Sequence, residues 1–253
     1  MQTIAKFRSM LAGLLALSVT FFLTGCFQVE QVIKVQPDGS GTIEMSVIIT
    51  NEGLAAMKEL SKDAPGGPKN PVDEMVSEEK GKEQAGNLGE GVTFVKAEKI
   101  KNAVGEGAKM TFKFDDVTKV KPSMDTQGGK DAAVTFEFTK GSPASLVIKA
   151  SHGGDKKPEP VDDSQFDQAK QMMKGMKMTI AVEVGGEITD TDAAHRAGSR
   201  VTLAEVPFDE VLKSKDTFMA MNKAANWAES IKVLKEIPGV KVDPKEVITI
   251  KFK

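Results

Sequence analysis

Asp38 and Ser40 sit inside Pro37-Asp38-Gly39-Ser40-Gly41-Thr42-Ile43-Glu44, a stretch spaced like the middle of a calcium loop. Such a loop takes oxygens from its first, third, fifth, seventh and twelfth positions, with glycine sixth and a bidentate glutamate twelfth. Setting Asp38 third puts Ser40 fifth, Gly41 sixth and Thr42 seventh, but it also puts Gln36 first and Val47 twelfth. The first is neutral and the last has no carboxylate. One side-chain carboxylate does not hold calcium against water, and the flanks read as strands where the motif needs helices. The stretch is therefore read as a hairpin turn.

Two other groups invite a metal reading. Met172, Met173, Met176 and Met178 form a thioether cluster, and thioethers suit Cu(I). Core packing explains the same letters, because Met172 and Met176 are four apart on an expected helix and Met178 belongs to an alternating strand. His195 follows Asp190 and Asp192, and two carboxylates with a histidine can hold a divalent ion. There is no HxH or HExxH spacing, and the only other histidine, His152, lies in a Gly-rich loop. Turn-forming Asp and Thr account for this group by local hydrogen bonds. The expectation is no metal and no cofactor.

Catalytic patterns are thin. The chain has no GxSxG elbow, no P-loop and no Rossmann glycine fingerprint after a strand. Asp115-Asp116 and Asp162-Asp163 are adjacent pairs whose side chains point apart, so neither makes an acid/base couple by itself. The expectation is that the protein is not an enzyme and has no catalytic residues. A hydrolase built from convergent carboxylates or the His195 region is the alternative furthest from this reading.

Cys26 is the one cysteine in the chain. Lys6 and Arg8 give a basic start with no acidic residue before Glu30, and Met10 to Leu23 is an apolar run. A spanning helix needs about 20 apolar residues, so this shorter run reads as a secretory signal over residues 1–25. It ends in Leu23-Thr24-Gly25-Cys26, which resembles the lipobox of bacterial lipoproteins. That resemblance implies diacylglycerol in thioether linkage on Cys26, cleavage before it, and a new amino group open to a further acyl chain such as palmitate. Two or three chains hold a protein on a membrane where one does so only marginally. The sole thiol would be consumed by lipid, leaving none free in an oxidising compartment. In lipoproteins sorted by the residue after the cysteine, an aspartate there resembles an inner-membrane retention signal; residue 27 is Phe, so the resemblance implies an outer over an inner membrane. The expected location is the exported side of one of these membranes.

Counted from Cys26 the chain has 228 residues, enough for one large domain or two small ones. Without Lys6 and Arg8 it carries 32 basic against 36 acidic residues. A slightly acidic chain with no basic block is not a nucleic-acid binder. No later apolar run reaches spanning length, so lipid is the evident anchor.

The elements that must position these residues are mostly strands. Val29, Ile33 and Val35 share a face that Gln31 interrupts. Ile43, Met45, Val47 and Ile49 alternate with Glu44, Ser46 and Ile48, the period-two mark of half-buried strands. Asp38 to Gly41 joins the two runs as a hairpin. Asn51 caps a short helix, Asp63 to Pro71 breaks it, and a polar helix is expected from Val72 to about Ala85. Strands are expected at Val92–Lys101, Lys109–Asp115, Ala133–Thr139, Ser145–Ala150, from Lys177, at Val201–Phe208 and at Glu246–Phe252. Helices are expected over Asp163–Lys174 and, with a break, Asp209–Leu234. Ser151 to Asp163 reads as a loop. The fold class is α+β, a mainly antiparallel sheet with helices packed on one face, in a single exported domain over 26–253.

The lipobox, the "DGSG" hairpin soon after it and "KMTIAVEVGGEITDTDAAHRAGSRVTLAEV" together resemble the LppM-like domain of bacterial lipoproteins. The resemblance covers most of the chain after Cys26. It implies an α+β fold akin to lipid-binding domains and offers no catalytic residues to carry over. Many relatives have a C-terminal membrane helix where "EVITIKFK" here reads as a strand. The functional expectation is a non-catalytic envelope lipoprotein that binds a lipid or other apolar ligand, or an envelope partner. A structural or assembly role is the alternative, and the ligand-binding residues are unknown. An apolar cavity between sheet and helices would separate a carrier from a scaffold.

Overall fold

The structure is a computed structural model that describes residues 27–61, 71–122, 133–151, 163–224 and 227–253. Cys26, the signal at 1–25, most of the break after the first helix, His152, Asp162 and most of the loop at 151–163 lie outside the described residues. The first hairpin pairs β1 (Phe27–Val35) with β2 (Gly41–Thr50) from Phe27↔Ile49 to Val35↔Gly41. Helices α1 (Asn51–Ser61), α2 (Pro71–Met75) and α3 (Glu78–Asn87) follow. Then come the antiparallel strands β3 (Thr93–Lys101) and β4 (Gly105–Phe114). A second hairpin joins β5 (Ala133–Thr139) to β6 (Ala144–Ser151). Next are α4 (Asp163–Met172), β7 (Lys177–Val184), β8 (Ile188–Thr191), β9 (Arg196–Ala197) and β10 (Arg200–Pro207). Three short helices, α5 (Phe208–Val211), α6 (Lys215–Lys223) and α7 (Trp227–Leu234), lead to β11 (Lys241–Val242) and β12 (Val247–Phe252).

The strands build two sheets. The larger runs β11, β10, β7, β1, β2, β4, β3, with β9 on β10, and the smaller runs β5, β6, β12, β8. β1 is the middle strand of the larger path. Its one parallel neighbour is β7, matched from Gln28↔Lys177 to Val35↔Val184. Alternation decides what each face does. Ile33, Ile43, Phe112 and Val182 of the large sheet meet Leu146, Ile148, Ile250 and Phe252 of the small one in a shared core. Burying each such side chain contributes about 1.5–3 kcal/mol. Ala85 of α3 and Leu88 just after it join that core. On the same side, Ile231 and Leu234 of α7 pack on Ala204 and Val206 of β10. The α+β class, the mainly antiparallel pairing and the one-sided helices are all present. The four-stranded sheet sharing that side is the added feature.

Three expectations need correction. Asn51 opens α1 and does not cap it: Thr50 Oγ1 accepts from the Gly53 amide at 3.2 Å, while the Asn51 side chain donates to the Ala103 carbonyl. The polar helix over 72–85 is two helices, because Ser77 is extended (φ −66°, ψ 128°) and starts α3 anew. β4 begins at Gly105 and not at Lys109, since Gly105 and Gly107 blank the apolar alternation that would reveal its first half.

Candidate functional site

The uncovered face of the large sheet carries charge in register. Along β1 and β2 it shows Gln28, Glu30, Lys34, Glu44 and Ser46, and β7 and β10 add Lys177, Thr179, Arg200 and Glu205. Glu44 accepts from Lys34 at 2.9 Å and from Lys109 at 2.7 Å. Glu205 accepts from Lys177 at 2.7 Å and from Lys241 at 2.9 Å. Arg200 donates to Glu30 at 2.7 Å. Burial pushes the Glu44 carboxyl up, but Lys109 and Lys34 outweigh it and hold the group below its ordinary value. Hydrogen bonds from Lys177 and Lys241 do the same for Glu205. Between these pairs lies an open basin of about 170 Å³ lined by Gln28, Glu30, Ser46, Lys177, Thr179, Arg200 and Glu205 among others. Glu44 and Glu205, with lowered pKa, are poor proton donors at neutral pH. The Arg200–Glu30 pair at its rim is an internal ion pair that a charged group could compete for.

The singled-out residues do not assemble into a site. Asp38 spends its Oδ1 inside its own turn, accepting from the Ser40 amide at 2.9 Å and the Ser40 hydroxyl at 2.7 Å. Those bonds hold its carboxyl below the usual range. Gly39 has φ +90°, and a Cβ there would meet the Phe138 ring at 2.8 Å, so the turn seats on the small sheet. Asp190 pairs with Lys251 at 3.0 Å. Asp192 accepts from the Thr249 amide at 2.7 Å, which with Lys245 lowers its pKa. His195 Nε2 lies 3.3 Å from the Val242 carbonyl. The three side chains go to three different partners and serve the seam between β8, β12 and β11. Asp116 caps a 3₁₀ turn, accepting from the Thr118 amide at 2.9 Å. Met172 ends α4, Met176 sits in the turn after it, and Met178 lies on β7 level with Val29. Among the described residues no three His, Cys, Asp or Glu side chains gather as a metal set.

The space lined by Val134, Ile148, Leu203, Ile231 and Val242 measures about 30 Å³, room for about one water and not for an acyl chain. Among the described residues one buried side-chain polar atom is unpartnered. Gln31 is 6% exposed, stands between Ile180 and Met45 in register, and its Nε2 has no acceptor. The sequence marked Gln31 as an interruption. The basin escaped it, because residues 28, 46, 177 and 200 meet only once β7 and β10 are placed.

The end of the large sheet nearest Cys26 is built of turns. β1 pairs from Phe27 onward, the residue directly after Cys26. At the same end lie the start of α1, the turn Asn102–Val104, the turn after α4 and the start of α5. Among the described residues no helix is long and apolar enough to cross a membrane.

The chain matches no family profile and no curated protein. One solved structure is similar over 92% of each chain: the NMR structure of the folded domain of Mycobacterium tuberculosis LppM, at 10% identity and a TM-score of 0.33. At those values the likeness carries no argument about fold or function.

Proposed function

We propose that this is a non-catalytic, exported envelope lipoprotein, held on its membrane by lipid on Cys26, that works by presenting a rigid binding surface to an envelope partner. The observation that carries the reading is the start of β1 at Phe27, in the middle of the large sheet. It ties the proposed anchor to the folded domain with no linker. The signal-like run ending in "LTGC" supplies the chemistry of attachment. A partner is favoured over an enclosed apolar cargo because the apolar space between the layers at Val134, Ile148 and Leu203 is about 30 Å³ while the polar basin of about 170 Å³ is open. The Phe at position 27 favours the outer membrane. Labelled palmitate should enter the wild-type protein and not Cys26→Ser, and only the wild type should fractionate with membranes. Equal labelling of both proteins would defeat the anchor. Abundant lipid, beyond the covalent kind, on the gently extracted protein in native mass spectrometry would favour a carrier instead.

A further inference from the structure

We infer that the Phe27 end of the large sheet faces the bilayer, and that the Asn102–Val104 turn between β3 and β4 lies on the lipid surface. This rests on the lipid anchor proposed above. Register supplies the geometry. Phe27 pairs with Ile49, the next rung is Thr50↔Gly105, and Val104 projects one residue further in the same direction. Cys26 is one covalent step from Phe27, about 3.8 Å between Cα atoms. Strands are spaced about 4.8 Å apart, so the turn stands roughly 10–15 Å to the side of the anchor. A strand of a paired sheet cannot swing like a flexible linker, so a lipid at its start brings its neighbours to the membrane with it.

The turn is built to present its tip. The Asn102 carboxamide oxygen accepts from the Val104 amide at 2.8 Å and the Gly105 amide at 3.1 Å. Asn51 closes it from the other side, donating its side-chain amide to the Ala103 carbonyl at 3.1 Å and its backbone amide to the Val104 carbonyl at 2.9 Å. The Val104 and Gly105 amides and the Ala103 and Val104 carbonyls are thus bonded within the protein, which lowers the cost of contact with lipid. What is left outward is apolar, with Ala103 exposed and Val104 38% exposed. Across β1, the Gly175 amide donates to the Asp209 carboxylate at 3.0 Å, fixing a turn whose exposed Lys174 pairs with Glu52 of α1 at 3.6 Å. An apolar tip held fixed to one side of the anchor suits the boundary between headgroups and acyl chains.

The test uses the full lipidated protein. With Cys26 acylated, Val104→Cys supplies a single free thiol for an environment-sensitive fluorophore. Lys140→Cys supplies the same at the opposite end, and Ala103→Cys is a second probe of the turn should Val104→Cys fold poorly. Each labelled protein is reconstituted on vesicles of phosphatidylethanolamine and phosphatidylglycerol. The label at 104 or 103 should shift to the blue and be quenched several-fold less by aqueous iodide than the label at 140. Equal quenching at both ends of a vesicle-bound protein overturns the orientation and leaves the anchor intact. Absence of lipid mass on Cys26, with no vesicle binding, overturns both.

Discussion

Replacing Gln31 by Met should stabilise the protein. The side chain is 94% removed from solvent, being 6% exposed, and its Nε2 donor has no acceptor. A buried donor without a partner costs about 1–3 kcal/mol. Methionine has nearly the same length, no donor, and the flexibility to settle between Ile180 and Met45. Removing the penalty should therefore add about 1–2 kcal/mol. For a domain of this size that is a rise of about 2–8 °C in melting temperature. The assay is urea unfolding followed by circular dichroism on the part from Phe27 onward, with the midpoint rising and the slope unchanged. A loss of more than about 1 kcal/mol would refute the reasoning, because it would mean that the Gln31 carboxamide makes bonds in the folded protein that methionine cannot replace.

Two further perturbations test the large sheet. Glu44→Gln removes the shared partner of Lys34 and Lys109 and should cost about 0.2–1 kcal/mol at neutral pH, the range of paired surface charges. Because the folded-state pKa of Glu44 is lowered, its contribution is full above the unfolded value and is lost as pH falls through the folded one. The gap between wild type and variant should thus be flat above about pH 5 and close below about pH 4; a gap that widens in acid would contradict the ion-pair account. Gly39→Ala should cost about 1–3 kcal/mol, since alanine resists φ +90° and its Cβ would press on Phe138. An unchanged thermal midpoint would show that the turn does not seat as described.

Strand content was legible from alternation. Val29, Ile33 and Val35, and Ile43 through Ile49, show the period, and "DGSG" marks the turn between them. The same letters exposed Gln31 as a misfit before any packing was known. Pairing across long stretches of chain was not legible. Nothing local in Gln28–Val35 tells that it lies parallel to Lys177–Val184, and without that pair the Arg200–Glu30 bond and the polar basin cannot be seen. The small sheet was hidden for the same reason, since β12 closes it from the end of the chain against β6 and β8. Cys26 shows the opposite balance. Its chemistry is read wholly from the letters before it, and the structure adds only that its neighbour opens the central strand.

The most direct test of the account is the mass of the N-terminal peptide of the protein extracted from cell membranes. The account predicts a chain beginning at Cys26 with diacylglycerol in thioether linkage, and no signal residues before it. A membrane-held chain that retains residues 1–25, or one that begins at Cys26 with an unmodified thiol, would contradict it.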